Sequence, residues 1–294
     1  MIAFGTAITD LKAYDRYAAP GIALASEPDS KMFAHQGTGS LFRNYNLILD
    51  LARKIDDLEA VALVHQDAEI VDDDFCAKIR DALADPEVAI IGCAGALGVR
   101  GIAWWEGALT WASFTHRYEE LGGGEFPAAA WDPNYMPSFA ETGEVDSIDG
   151  FIIVMSRWAV DNLKFDESLG KLHGYDYDIC MQARSAGKKV VTVDFRAVHH
   201  HNLTLISDPD TWIEAHIRLA EKWDGRLESS PELGDWRTRA LRAEAEAAVS
   251  KGQMVSAQMR GAAIERQLAR VEKSASWRLT KPLRELRTRL ERRR

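Results

Sequence analysis

Two pairs of acids and a run of histidines are the residues whose types and spacing could do chemistry. Asp67 and Glu69 stand one residue apart just past a short apolar stretch. That spacing lets both carboxylates approach one divalent cation, directly or through water; as a solvated loop the same triplet would only cap a helix. Asp176 and Asp178 repeat the spacing at the start of a helical stretch, where the helix dipole favours carboxylates and either could serve as a cap. As a general base, an Asp there must reach a substrate hydroxyl. His199, His200 and His201 follow another strand-like run, and neutral imidazole suits manganese or zinc. In extended chain His199 and His201 share one side and His200 takes the other, so at most two share a site.

Other chemistry is excluded by what is missing. Gly122–Gly124 lacks the strand-loop-helix setting and the Lys-Ser/Thr of a phosphate loop, and reads as a turn. No G-x-G-x-x-G, G-x-S-x-G or H-E-x-x-H occurs. The three cysteines, Cys76, Cys93 and Cys180, are far apart without C-x-x-C spacing, so they read as small buried hydrophobes.

The elements that must position these residues alternate as in a parallel α/β layer. Ile2–Ile8, Asp10–Tyr17 and Gly21–Ala25 read as strand, helix, strand. Leu41–Ile55 places Leu41, Tyr45, Ile48, Leu51, Ala52 and Ile55 at helical steps, and Ala60–Val64 is a buried strand running straight into His65-Gln66-Asp67-Ala68-Glu69. Polar side chains therefore sit at the carboxyl end of a strand, where open α/β sheets hold ligands. Helix Asp72–Ala84 and strand Val88–Ala94 follow. From Gly98 to Glu144 tryptophans, glycines and prolines predict an irregular insertion over the site. Strand Ser147–Met155, helix Asp176–Ala186 ended by Gly187, and strand Lys189–Phe195 restore the pattern. Beyond residue 205 a helix over Asp210–Trp223 and an Ala/Glu/Arg-rich helix over Trp236–Ala275 form an appendage.

With 46% apolar residues in a chain of 294, one large core is expected. No run of eighteen apolar residues occurs and the N-terminus lacks a signal-peptide pattern, so a cytoplasmic location is expected. The net charge of −9 is uneven: Lys273–Arg294 carries nine Lys/Arg against two acids, +7, and leaves −16 for the body. An acidic body excludes wrapping nucleic acid. The basic tail, with Trp277, Leu279, Leu283, Leu286 and Leu290, predicts an interfacial helix on anionic lipid, which would hold the protein on the inner face of the cytoplasmic membrane; a solvated or partner-binding helix is the alternative.

In order, the Asn44-Tyr45-Asn46 helix, Val64-His65-Gln66-Asp67, Asp149-Gly150, Phe165-Asp166-Glu167, Gly174-Tyr175-Asp176-Tyr177-Asp178 and Val198-His199 resemble a family 2 glycosyltransferase of GT-A fold. The match covers about residues 1–205 and is strongest over Phe165–Gly187. Ser274–Arg284 resembles a tail of bacterial cell-surface polysaccharide transferases. The resemblance implies a Rossmann-like, mostly parallel sheet flanked by helices, and an inverting hexosyltransferase using a nucleotide-sugar. A UDP-sugar is favoured, with GDP- and dTDP-sugars as alternatives, and the acceptor is a glycan or lipid-linked saccharide.

By the same resemblance Asp67, Glu69 and His199 hold Mn2+ or Mg2+ on the donor diphosphate, the D-x-D of the family being D-x-E here. Asp176 is the general base, although the family's preceding Glu is Tyr175. Thr6, Ser26, Glu27 and Asn46 join Asp67 in donor binding. Trp104, Trp105, Asp149, Gly150, Tyr175 and Asp178 line the acceptor side, with tryptophans stacking on sugar rings. Two other readings compete: a metal-dependent phosphoester hydrolase using the same ligand types, and an inactive scaffold that recruits partners to the membrane.

Overall fold

Ile2–Ile8 is buried at every position except half-buried Ala7, as a strand covered on both faces must be, and in the computed structural model it forms β1 (Ile2–Ile8). The structure describes residues 1–37, 39–99, 101–103, 109–112, 114–118, 124–127, 143–200, 208–223, 236–282 and 284. After β1, Asp10 accepts from the Lys12 and Ala13 amides and starts α1 (Leu11–Ala13), which runs through a π-helical turn, Tyr14–Ala18, into α2 (Ala19–Ala25). The expected strand at Gly21–Ala25 is thus a helix: Gly21, Ile22 and Ala25 are buried while Leu24 faces solvent, a helical spacing that a short apolar run disguises. The second strand is β2 (Met32–Gln36), whose alternating half-burial marks an edge.

Ser40 caps α3 (Leu41–Ala52), which buries Phe42, Tyr45, Ile48, Leu49 and Ala52 against the sheet. Then come β3 (Ala60–Val64), β4 (Ala68–Ile70), α4 (Phe75–Leu83), β5 (Val88–Gly92) and β6 (Ala94–Leu97). In the expected irregular insertion residues 98–99 and 101–103 are irregular, and strands β7 (Leu109–Ala112), β8 (Phe114–Tyr118) and β9 (Gly124–Pro127) follow, then β10 (Gly143–Val145). The strand expected over Ser147–Met155 is broken by a turn into β11 (Ser147–Ile148) and β12 (Ile152–Ser156). The chain continues through α5 (Arg157–Asn162), α6 (Tyr175–Ser185), β13 (Lys189–Thr192), β14 (Ala197–His200), α7 (Pro209–Trp223), α8 (Trp236–Lys273) and α9 (Ala275–Leu279).

The central sheet has the order β10-β13-β5-β12-β3-β1-β2. Strands β2, β1 and β3 are parallel, as are β5 and β13, whereas β12 runs antiparallel between β3 and β5. This reversal matters for the site. Because Ile152 pairs with Val64, the turn that enters β12 lies at the carboxyl end of β3, and the His65 amide donates to the Phe151 carbonyl at 2.9 Å. A second sheet, β4-β14-β8-β9, meets the same place from the other side, since β14 is antiparallel to β4 and the His200 amide donates to the Asp67 carbonyl at 2.9 Å.

The chain divides into two compact units, Met1–Glu228 and Ser229–Arg294. The first unit runs past the boundary expected at residue 205: α7 buries Ala215, Leu219 and Trp223 and belongs to it. In the second unit Ser274 caps α9, and the Arg284 guanidinium lies 3.6 Å from the centre of the Trp277 ring. No helix among the described residues is long and apolar enough to cross a membrane. Residues 285–294 of the expected lipid-binding tail lie outside the described residues.

Candidate metal and base centre

Strand β3 ends at Val64 and the chain turns at once, the Ala68 amide closing onto the His65 carbonyl at 3.1 Å. The Gln66 side chain steadies this turn by accepting from the Thr9 and Asp10 amides, each at 2.8 Å, which ties it to the end of β1. His65 and Asp67 project from the turn, with His65 Nδ1 3.9 Å from Asp67 Oδ1. Strand β14 delivers His199, whose Nε2 lies 3.7 Å from the same oxygen and whose ring stacks on Phe151, 4.5 Å between centres and 8° between planes. One donor atom from each of His65, Asp67 and His199 lies within 4.8 Å of the others.

Burial alone would raise the Asp67 carboxyl, but the His199 contact and the charges of His199 and His65 outweigh it and hold the group well below the usual carboxylate range. Burial would likewise lower His199; its Asp67 partner reverses the sign and raises it. Asp67 is therefore a carboxylate facing two imidazoles. A carboxylate and two imidazoles form a donor set suited to a first-row divalent ion.

Glu69 is not part of this group. Its Oε2 pairs with His200 Nε2 at 2.7 Å, and the His200 ring stacks on Tyr17 with centres 3.7 Å apart. The reason is local: Asp67 sits in the turn, outside any strand, so the two-residue spacing to Glu69 does not keep a common face. The group is His-x-Asp, not Asp-x-Glu. His65, to which the resemblance gives no metal role, is legible in the sequence as a metal-ligating type two residues before Asp67 at a strand end. His199 and His200 alternate as expected, one to each side of β14, and His201 lies outside the described residues.

Beside this cluster is the amino end of α6, entered through Gly174 in the left-handed region, φ +81°. The Gly150 amide donates to Asp176 Oδ2 at 3.2 Å and the Tyr177 amide to Oδ1 at 2.9 Å. Even so, burial, followed by the nearby charge of Asp149, pushes the Asp176 carboxyl up to about 7. Tyr175 is buried and its hydroxyl is 2.7 Å from His65 Nε2. A side chain on Gly150 would collide with the Tyr175 hydroxyl. The fold thus brings Asp149, Gly150, Tyr175 and Asp176 beside His65, Asp67 and His199. Tyr45, which the resemblance gave no role in the site, is buried, and its hydroxyl has no hydrogen-bond partner among the described residues; burial and then the charges of Asp67 and Asp176 push the phenol up.

Other expected site residues lie elsewhere or do other work. Asp178 is fully buried and accepts from Trp223 Nε1 at 2.8 Å and Gln182 Nε2 at 2.7 Å, with Lys222 Nζ at 2.7 Å, so it anchors α7. Asn46 is buried with its amide on Phe165, Nδ2 donating to the carbonyl at 2.9 Å and Oδ1 accepting from the amide at 3.0 Å, which makes it a clamp on the Phe165-Asp166-Glu167 segment. Ser26 and Glu27 follow α2, not a strand, and lie at the amino edge of the sheet, opposite the site; Arg80 binds Glu27 there together with Glu59. Thr6 is buried within β1, and its hydroxyl has no hydrogen-bond partner among the described residues. Trp104 and Trp105 lie outside the described residues.

No protein-family model matches the chain. The streptomycin biosynthesis protein StrF of Streptomyces griseus is 25% identical over 205 residues, which cover 69% of this chain and 67% of StrF. Among solved structures, GalNAc-T7 with UDP, GalNAc and Mn2+ is similar with a TM-score of 0.51 at 12% identity, over 76% of this chain and 48% of that one. The mannosyltransferase PcManGT from Pyrobaculum calidifontis, in complex with GDP-Man and Mn2+, is similar with a TM-score of 0.49 at 14% identity, over 95% of this chain and 82% of that one. A seven-stranded mixed sheet flanked by helices, with its polar cluster at the carboxyl end of parallel strands and a helical C-terminal unit, is the GT-A glycosyltransferase fold.

Proposed function

We propose that this protein is a metal-dependent glycosyltransferase that moves a sugar from a nucleoside-diphosphate donor to a hydroxyl of a glycan or lipid-linked acceptor, with inversion at the anomeric carbon. The observation that carries the reading is the meeting of a carboxylate-imidazole cluster with a carboxyl raised to about 7 at the carboxyl edge of the sheet. His65, Asp67 and His199 would hold the ion, and two imidazoles among three donors favour Mn2+ over Mg2+. A bound divalent ion supplies charge neutralisation for the departing diphosphate.

The remaining chemistry belongs to the chain. Asp176, half ionised near neutrality, accepts the proton of the acceptor hydroxyl as that oxygen attacks. The Gly150 and Tyr177 amides hold its carboxylate in place, and the Asp149 charge keeps it basic. A base that only takes the proton of the acceptor hydroxyl corresponds to direct displacement and an inverted product. GalNAc-T7, with which the fold is shared, was solved with UDP and Mn2+, which supports a UDP-sugar donor here, with GDP- and dTDP-sugars as alternatives. The basic tail would bring the enzyme to an anionic membrane surface where lipid-linked acceptors lie.

The test is thermal stability with UDP, GDP and dTDP, each with and without Mn2+, on the wild type and on Asp67→Ala. One nucleotide should stabilise the wild type only with Mn2+, and the shift should vanish in Asp67→Ala. No shift with any nucleotide overturns the reading in favour of a scaffold, and release of free sugar at full rate without an acceptor overturns it in favour of a hydrolase.

A further inference from the structure

His65 has two ring nitrogens with different neighbours. Nδ1 faces Asp67 Oδ1 at 3.9 Å, on the side where the three donors converge, and Nε2 is 2.7 Å from the Tyr175 hydroxyl. An imidazole binds a metal only through a nitrogen without a proton. Were Nδ1 to hold the ion, the ring's proton would sit on Nε2, with the Tyr175 oxygen as its acceptor. Of the two neutral tautomers, only this one leaves Nδ1 free of a proton to ligate.

Tyr175 is held for this task from several sides. Phe42 meets its ring edge-on at 6.1 Å between centres and 83°, and Tyr45 does so at 5.7 Å and 69°. The absence of a side chain on Gly150 leaves room for the hydroxyl. Gly150 in turn donates to Asp176, so one turn supports both the tyrosine and the neighbouring carboxylate.

We propose that Tyr175 is a positioning residue for the metal, fixing the tautomer and ring orientation of His65 through its hydroxyl and so coupling ion affinity to the end of α6 that carries Asp176. The proposal rests on the metal reading above. Partners that orient a ligating histidine typically contribute 10–100-fold in metal affinity.

The experiment measures Mn2+ affinity of the full chain by paramagnetic resonance of the free ion, alongside 15N-histidine resonances of the metal-free protein. Tyr175→Phe should weaken Mn2+ about tenfold and convert the His65 signal from the Nε2–H tautomer to a mixture. Tyr177→Phe, on the same helix beside Arg184 and Asp146, should change neither. Should Tyr175→Phe not fold, Gly150→Ala displaces the same hydroxyl and should give the same two effects. Wild-type affinity together with an unchanged His65 tautomer in the variant overturns the proposal and leaves the metal reading standing. Failure of the wild type itself to bind Mn2+, or equal binding by Asp67→Ala, overturns both.

Discussion

At the scale of single residues, the acid pair that looks like a metal motif and the cluster that the fold assembles differ by one substitution of role: His65 for Glu69. The difference is measurable. Glu69→Gln should leave Mn2+ affinity within about twofold, because its partner is His200, whereas His65→Ala should lower it by at least tenfold, on the order of 1.4 kcal/mol or more. Titration calorimetry on the two variants decides between the two assignments; equal losses would restore the Asp-x-Glu reading. Asp176 yields a second prediction. Its carboxyl at about 7 in the fold, against 3.8 ordinarily, means the folded state binds this proton more tightly than the unfolded chain. Between pH 3.8 and about 7 this group therefore makes the protein less stable as pH rises, and the penalty is complete above 7. Asp176→Asn should thus raise metal-free stability at pH 8 by on the order of 1–2 kcal/mol, a gain that fades by pH 4. It should cut turnover by about 10²–10⁴-fold. Wild-type turnover should rise with pH through about 7; a profile flat across that range removes Asp176 as the base.

At the scale of elements, the second acid of the α6 start holds structure together. Asp178, with Trp223, Lys222 and Gln182 around it, and Asp166, which also takes Lys222 at 2.7 Å, pin α7 to the domain. Removing one partner of a buried ion pair strands the other, at a cost of about 3–5 kcal/mol. Asp178→Ala should lose that much in denaturant unfolding, and a loss below about 1 kcal/mol would mean α7 is not anchored there. The site itself depends on an element running the unexpected way. Only because β12 is antiparallel does the turn Asp149–Phe151 arrive beside the end of β3, where Phe151 supports His199 and Gly150 supports Tyr175 and Asp176.

At the scale of the whole molecule, the compact unit ends at Glu228, so a chain of residues 1–228 should fold and keep donor and metal binding. A chain ending at residue 205 should not, since it removes Leu219 and Trp223 from the core and exposes Asp178. Circular dichroism of the two truncations checks this, and a stable 1–205 fragment would return the boundary to where composition suggested it. What the amino-acid sequence determined by itself was everything written in local periodicity and motif order: the strands Ile2–Ile8 and Ala60–Val64, helix α3, the start of α6 and the GT-A architecture. Short apolar runs were ambiguous, because five residues such as Gly21–Ala25 satisfy helix and strand alike until their burial is known. The tertiary structure alone decided which polar residues meet. Direction of projection depends on turns such as His65–Ala68 and on a strand reversal some ninety residues later, and neither leaves a periodic trace around Asp67.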